Sequence, residues 1–352
     1  VNDAIRGTAR GTAPVPLSVL DLVPVGTGTT PAQALRSSIE LSRIADRRGY
    51  HRHWIAEHHS APSVASSSPA VILAHLAAHT QRVRLGSGGV MLPNHPPLII
   101  AEQFGVLEAL APGRVDLGLG RAPGTDPATA AALRRSDQGG GDFPQQLSDL
   151  LRFLDDDFPA GHPYARVHAV PGPVQGATSR PPVWLLGSSG FSARLAGTLG
   201  LPFAFAHHFS ADNTVAALDL YRQSFRPSTL LDAPYVLISV NTMAADTERE
   251  AHRQVMAGAL AMIQLHAGRL GLLPSPEEAE AYDFTSAEWK FAQNWIADIV
   301  HGTPDAVRNG LNALQQRTGA DELMLTTLMS HSNDARLRTY ELIADAYGFP
   351  QD

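Results

Sequence analysis

Residues 85–124, LGSGGVMLPNHPPLIIAEQFGVLEALAPGRVDLGLGRAPG, join two short apolar runs through one helix-sized segment and read as strand, helix, strand. The first run, Val83 to Leu92, is broken by Gly86-Ser87-Gly88-Gly89, where a buried strand would favour β-branched residues. Glycine inside a strand marks the close approach of a ligand or of another backbone. The second run ends in Leu117-Gly118-Leu119-Gly120-Arg121, which sets a cation at the C-terminal end of a strand. In parallel α/β folds that end is where sites are built. Both strands therefore carry site-like irregularities at corresponding ends.

The same rhythm extends in both directions. Upstream, strands are predicted at Pro16–Leu22 and His51–Ala56, with a helix between them capped by Thr30, started by Pro31 and ended by Gly49. That helix should bury Ala34, Leu35, Ile39, Leu41 and Ala45, with Ile44 off the face. Ser66-Ser67-Ser68-Pro69 opens a helix that is apolar almost all round, which predicts burial on several sides. Downstream, strands are predicted at Val183–Leu186, Leu201–Ala206, Tyr235–Asn241 and Asp321–Thr327, with helices between. The last helices run over Ala287–Val300, Pro304–Arg317 and Asn333–Tyr347. Eight strands in near-strict alternation with helices favour a closed TIM (β/α)8 barrel over an open doubly wound sheet. Excursions follow strand 4, with one helix at Gln145–Leu154, and strand 7, around residues 266–286.

Composition bounds what the chain does. At 352 residues, 44% apolar and 17% charged, it suits one large barrel domain over residues 15–352, after a flexible tail at 1–14. A net charge of −7 without a basic run argues against nucleic acid as partner. The absence of cysteine excludes disulfides and thiolate chemistry and fits a cytoplasmic protein. No apolar run approaches membrane-spanning length and the first residues contain no signal-peptide core, so no membrane association is expected.

Three stretches carry candidate chemistry. Glu57-His58-His59 ends the second strand; successive side chains alternate there, so its members cannot all point the same way. Among fifteen histidines, a structural role in a loop is an equal reading. Metal ligation is disfavoured, because neither this pair nor His207-His208 has ligand spacing. Gly187-Ser188-Ser189-Gly190 follows a strand and opens a helix, and Ser192 adds a hydroxyl. Such a turn offers backbone N–H groups and hydroxyls to a phosphate, although an ordinary serine cap would look the same. Arg121 at the same barrel face supplies the cation a phosphate dianion needs.

Trp54-Ile55-Ala56-Glu57-His58-His59, Leu85 to Pro93 with His95-Pro96, Ala101-Glu102-Gln103 and Pro112 to Arg121 resemble the bacterial luciferase-like flavin monooxygenases, as do Gly187 to Gly190, Ala196 to Pro202 and His301 to Pro304. The resemblance spans Pro16 to Ala346 and implies a TIM barrel. It implies a cis peptide at Gly88-Gly89 under the flavin ring. Arg121, Ser189 and Ser192 would grip the FMN phosphate, Ser188 and Gly190 would supply backbone donors, and His58 would be the active-site histidine. Gly120 stands at the position of the luciferase reactive cysteine, and a second phosphate-binding arginine has no counterpart in register, Arg134 and Arg135 being the nearest. The Gly-Gly pair and the PNHPP segment look closest to the aromatic-polyketide tailoring oxygenases, such as that of mensacarcin biosynthesis.

The implied activity is FMNH2-dependent oxygenation through a flavin C4a-(hydro)peroxide, giving epoxidation, hydroxylation or Baeyer–Villiger products. A small-molecule substrate and O2 would be its partners, with a separate NAD(P)H:flavin reductase, since no dinucleotide fingerprint is present. A homodimer is the expected assembly. The rival readings are F420-dependent hydride transfer and a flavin-binding protein that turns nothing over.

Overall fold

In the computed structural model, residues 5–122, 125–133, 142–177, 179–327 and 330–351 are described. Arg134, Arg135 and Gly139–Gly141 lie outside them. The strands are β1 (Leu17–Asp21), β2 (Arg52–Ile55), β3 (Arg84–Ser87), β4 (Val90–Met91), β5 (Val115–Gly120), β6 (Val183–Gly187), β7 (Phe203–Phe205), β8 (Val236–Ala244), β9 (Val300–Gly302) and β10 (Glu322–Thr326). Parallel pairing runs β10-β1-β2-β3-β5-β6-β7-β8 and closes through β10–β8. Among the described residues eight strands thus form a closed parallel ring with helices around it, the TIM barrel expected, with the long excursions after β5 and β8.

The stretch 85–124 behaves as its glycines suggest. β3 pairs Gly86 with Asp116, and β4 pairs Val90 with Leu119, so the glycine strand takes one residue more than its partner. That is a β-bulge, and the Gly88-Gly89 peptide inside it is cis. A Cβ on Gly89 would lie 2.8 Å from the Gly118 carbonyl oxygen, and one on Gly118 would lie 2.1 Å from that of Ser87. Two backbones approach so closely here that no side chain fits between them.

The barrel interior holds Leu20, Trp54, Trp184, Ala204, Leu237 and Met324. The two indoles meet edge to face at 5.1 Å. At the N-terminal ends of the strands the core turns ionic. Asp116 accepts from Arg52 (2.8 Å), Arg84 (2.7 Å) and the Trp54 indole N–H (3.2 Å). Glu322 accepts from Arg52 (2.9 Å), the Ser18 hydroxyl (2.5 Å) and the Tyr235 hydroxyl (3.0 Å). Burial alone would raise the Asp116 pKa, but the Arg84 and Arg52 guanidiniums hold it at about 2.

Several expectations change. Within residues 5–14, read as a flexible tail, Ile5 and Ala13 are anchored in the core: Ile5 is fully buried, its carbonyl accepts from Arg52, and the Thr12 amide donates to Tyr347 at 2.8 Å, while most of the segment is exposed. Thr30 caps the helix (Pro31–Arg48) and Gly49, at φ 80°, ends it, as expected, with Gln33 completing a capping box, but Ile44 is buried there while Leu35 and Ile39 are only partly so. Its face is set by polar partners, since Ser38 donates to Asp21 and Arg336 donates to Ser37 (2.8 Å) and Asp21 (2.5 Å). The apolar helix Pro69–Ala77 buries only Pro69, Leu73 and Leu76 and leaves Val71 72% exposed. The helix predicted to reach Val300 stops at Ala297, and Val300–Gly302 pairs with the end of β8 instead. A short helix at Pro127–Ala132 was not anticipated.

Three imidazoles, His207 buried and His51 and His208 half-buried, make the fold sensitive to acid. Burial lowers the pKa of His51, His207 and His208 to about 4. Each binds its proton less readily folded than unfolded, where the value is about 6.5, so stability is full above that value and falls as pH drops toward about 4. The urea midpoint should therefore decrease from pH 7 to pH 4.5, and less steeply in a His207→Gln variant. A flat profile over that window would refute this assignment.

Candidate functional site

One cleft of about 870 Å3, counting its open mouth, sits at the C-terminal ends of the strands. Leu20 and Leu22 line it from the β1 side, His58 from the end of β2, Gly88 and Met91 from the bulge, and Arg121 from the end of β5. Ser188, Ser189 and Ser192 come from the β6 turn and its helix, His208 and Phe209 follow β7, and Ser239 belongs to β8. Residues distant in sequence meet here because each follows a parallel strand, and in a barrel all such ends share one face.

The β6 side is built for an anion. The helix Gly190–Leu199 starts with its N-terminus at the cleft, and the Ser189 side chain does not cap it. Among the described residues the hydroxyls of Ser188, Ser189 and Ser192 make no hydrogen bond within the protein, although Ser192 is buried. Free N–H groups, the helix dipole and three uncommitted hydroxyls converge on one spot. Arg121 reaches the same place, its guanidinium 4.2 Å from the Phe191 ring, a stacking that orients the planar fork. A phosphate monoester fits this donor set; a neutral group would leave it uncompensated.

The β2 end separates its histidines as strand alternation requires. Glu57 is buried beneath the surface, and one of its oxygens accepts from His59 Nε2 (2.8 Å), His95 Nε2 (2.8 Å) and Asn94 (3.3 Å). The other accepts from the Met91 amide at 3.0 Å. Burial opposes ionisation of Glu57, but the bonds from His95 and His59 outweigh it and keep the pKa low. The carboxylate thus pins the segment after the cis peptide against β2. The potential ligand atoms of Glu57, His59 and His95 lie within 4.8 Å of one another, a meeting that local spacing did not reveal. His58 is left facing the cleft.

His208 also lines the cleft, one of the adjacent pair that has no metal-ligand spacing. Its Nδ1 lies 2.8 Å from the Ser239 hydroxyl and its ring 4.1 Å from that of Phe209, and its low pKa keeps it neutral near pH 7. All the sequence-predicted side chains, His58, Arg121, Ser188, Ser189 and Ser192, come together with Gly88 in this cleft. Gly89 and Gly190 adjoin it in the chain.

A second compartment opens beside the cleft and shares Leu22, His58 and Phe209 with it. Its outer wall is Gln264 and Leu265, from the end of the helix Glu248–His266, and residues 269–273 just beyond it.

Comparison with known proteins agrees with this geometry. Residues 15–322 match the family described as luciferase-like monooxygenase. The chain is 47% identical to the Bacillus subtilis protein YvbT over 94% of this chain and 96% of that one. It is 43% identical to a luciferase-like monooxygenase of Escherichia coli strain K12, again over 94% and 96%. The crystal structure of apo-MsnO8 superposes with a TM-score of 0.83 at 38% identity, covering 95% of this chain and 98% of that one. The fold is also shared, at 20% and 13% identity, by a type II Baeyer–Villiger monooxygenase in complex with FMN (TM-score 0.72) and an F420-dependent secondary alcohol dehydrogenase (TM-score 0.68). The chain belongs to the luciferase-like monooxygenase family.

Proposed function

We propose that this chain is an FMN-dependent monooxygenase acting on a small organic molecule. The observation that carries the reading is the phosphate cradle of Arg121, Ser188, Ser189, Ser192 and the Gly190 helix end, within one cleft that also holds Gly88 and His58. Arg121 and the serines hold the phosphate, and the Gly88-Gly89 bulge, free of side chains, gives the flat ring a seat. Reduced FMN supplies the two electrons with which O2 delivers one oxygen atom to the substrate and the other to water. The apolar strand residues around the cleft keep bulk water out, His58 holds or moves a proton at the boundary between cofactor and substrate, and His208 contributes a neutral imidazole.

Epoxidation or hydroxylation of an aromatic polyketide is the finer reading, resting on the Gly-Gly pair and the PNHPP segment. A separate NAD(P)H:flavin reductase would deliver the reduced cofactor in the cytoplasm. A homodimer is supported by Val71, Ile99, Val106 and Leu110, which leave apolar surface exposed on the neighbouring helices Pro69–Ala77 and Pro97–Leu110. No described helix is long and apolar enough to cross a membrane.

The reading is tested by titrating the protein with FMN and with F420, then supplying the reduced cofactor and following O2. FMN binding, O2 uptake and a product one oxygen atom heavier are expected. Preference for F420 with no O2 consumed would replace oxygenation by hydride transfer. Binding without turnover of any candidate would leave a flavin-binding protein.

A further inference from the structure

The second compartment has an unusual wall. Phe209, Leu265, Leu270 and Leu272 are 59%, 42%, 55% and 39% exposed, yet they come from the loop after β7, from the helix Glu248–His266 and from the segment that follows it, and line one hollow. Leu22, Val64 and Leu273 close its inner side. Large apolar side chains converging on a hollow that opens onto a candidate active cleft form a surface waiting for an apolar occupant.

The charged and titratable groups facing that hollow are His58, His59, Asp126 and Arg269. Three of them are already engaged. His59 is bound to Glu57, and Asp126 accepts from the Ala128 and Thr129 amides and the Thr129 hydroxyl as the cap of its helix. His58 stands at the junction with the main cleft. Arg269 differs: among the described residues its guanidinium makes no hydrogen bond or ion pair. The carboxylate that senses its charge, Glu288, is occupied by Thr285 and by the Tyr282 hydroxyl at 2.9 Å.

We infer that this compartment takes the substrate, and that the substrate class is an apolar body bearing an anionic group, the body covering Phe209, Leu265, Leu270 and Leu272 and the anion pairing with Arg269. This rests on the oxygenase reading above for calling the ligand a substrate. The compartment then sets regiochemistry. An anion fixed at Arg269 decides which part of the apolar body passes His58 into the cofactor cleft. Arg269 acts here as a specificity-determining residue, with a guanidinium fork suited to a carboxylate or sulfonate.

Two fluorescent probes separate the contributions, because 8-anilinonaphthalene-1-sulfonate and N-phenyl-1-naphthylamine share an aromatic body and differ by the sulfonate. Both should bind the full-length protein. Arg269→Ala, and independently Arg269→Gln, should weaken the sulfonate about tenfold or more and leave the neutral amine unchanged, with Arg269→Lys restoring part of the loss. Leu272→Asp should weaken both. FMN affinity, measured in parallel, should not change in any of these variants, and saturating FMN should not displace either probe. Loss of FMN binding by the unmodified protein with the probe pattern intact would fail the oxygenase reading alone. Absence of probe binding, displacement of the probes by FMN, or equal behaviour of the two probes in the Arg269 variants would overturn the assignment of an anionic, apolar ligand. Loss of probe binding on self-association would instead assign the wall to a second copy of the chain and overturn it as well.

Discussion

Asp116→Ala should lower stability by about 3–5 kcal/mol. Arg52 and Arg84 are both buried, and Asp116 is the carboxylate they share. Removing it leaves Arg84 with only backbone carbonyls (Gly113 and Val115) and Arg52 with Glu322 and the Ile5 carbonyl. The Trp54 N–H also loses its acceptor in the barrel interior. Urea unfolding followed by circular dichroism checks the value. Asp246→Ala serves as the control, because its pair with Arg338 is exposed on both sides and should contribute no more than about 1 kcal/mol. A loss at Asp116 no greater than at Asp246 would mean that the network under the barrel does not hold it together.

His58→Ala should slow product formation by a factor on the order of 10²–10⁴ while FMN binds nearly as before. His58 lines both the main cleft and the second compartment, so on the proposed reading it would face cofactor and substrate together. The proposed phosphate cradle follows β6 and does not involve it. Single-turnover product yield and H2O2 release, compared with FMN affinity, separate the two roles. Rising H2O2 with falling product is the expected pattern. Unchanged turnover and coupling would make His58 structural and pass the role to His208.

How much of this was legible follows from which interactions are local. The ring strands announce themselves as apolar runs between helical patterns, and the cleft residues were found because each sits just beyond such a run. Gly88-Gly89 is readable as a point of close approach, though the approaching groups, the Leu20 and Trp54 side chains at Gly88 and the Gly118 backbone at Gly89, need register. What escaped depends on partners far away in the chain. Ile5 is buried because Arg52 and the barrel floor receive it, which composition cannot convey. Ile44 faces inward because Ser38 and Arg336 meet at Asp21 and turn the helix. The Glu57–His95 contact joins two strand ends across the bulge, and β9 is too short for periodicity to separate it from the helix before it. The outer wall of the second compartment comes from residues 264–273, a stretch with no motif of its own.

If the β6 turn and Arg121 hold the phosphate of FMN as proposed, a comparison of FMN with riboflavin in the unmodified protein and in Arg121→Ala will show it. The two ligands differ only in the phosphate. A charge-assisted bond to it contributes about 1.5–3 kcal/mol, so the variant should bind FMN roughly 10- to 150-fold more weakly and riboflavin as before. Equal loss for both ligands, or no loss for either, would contradict it.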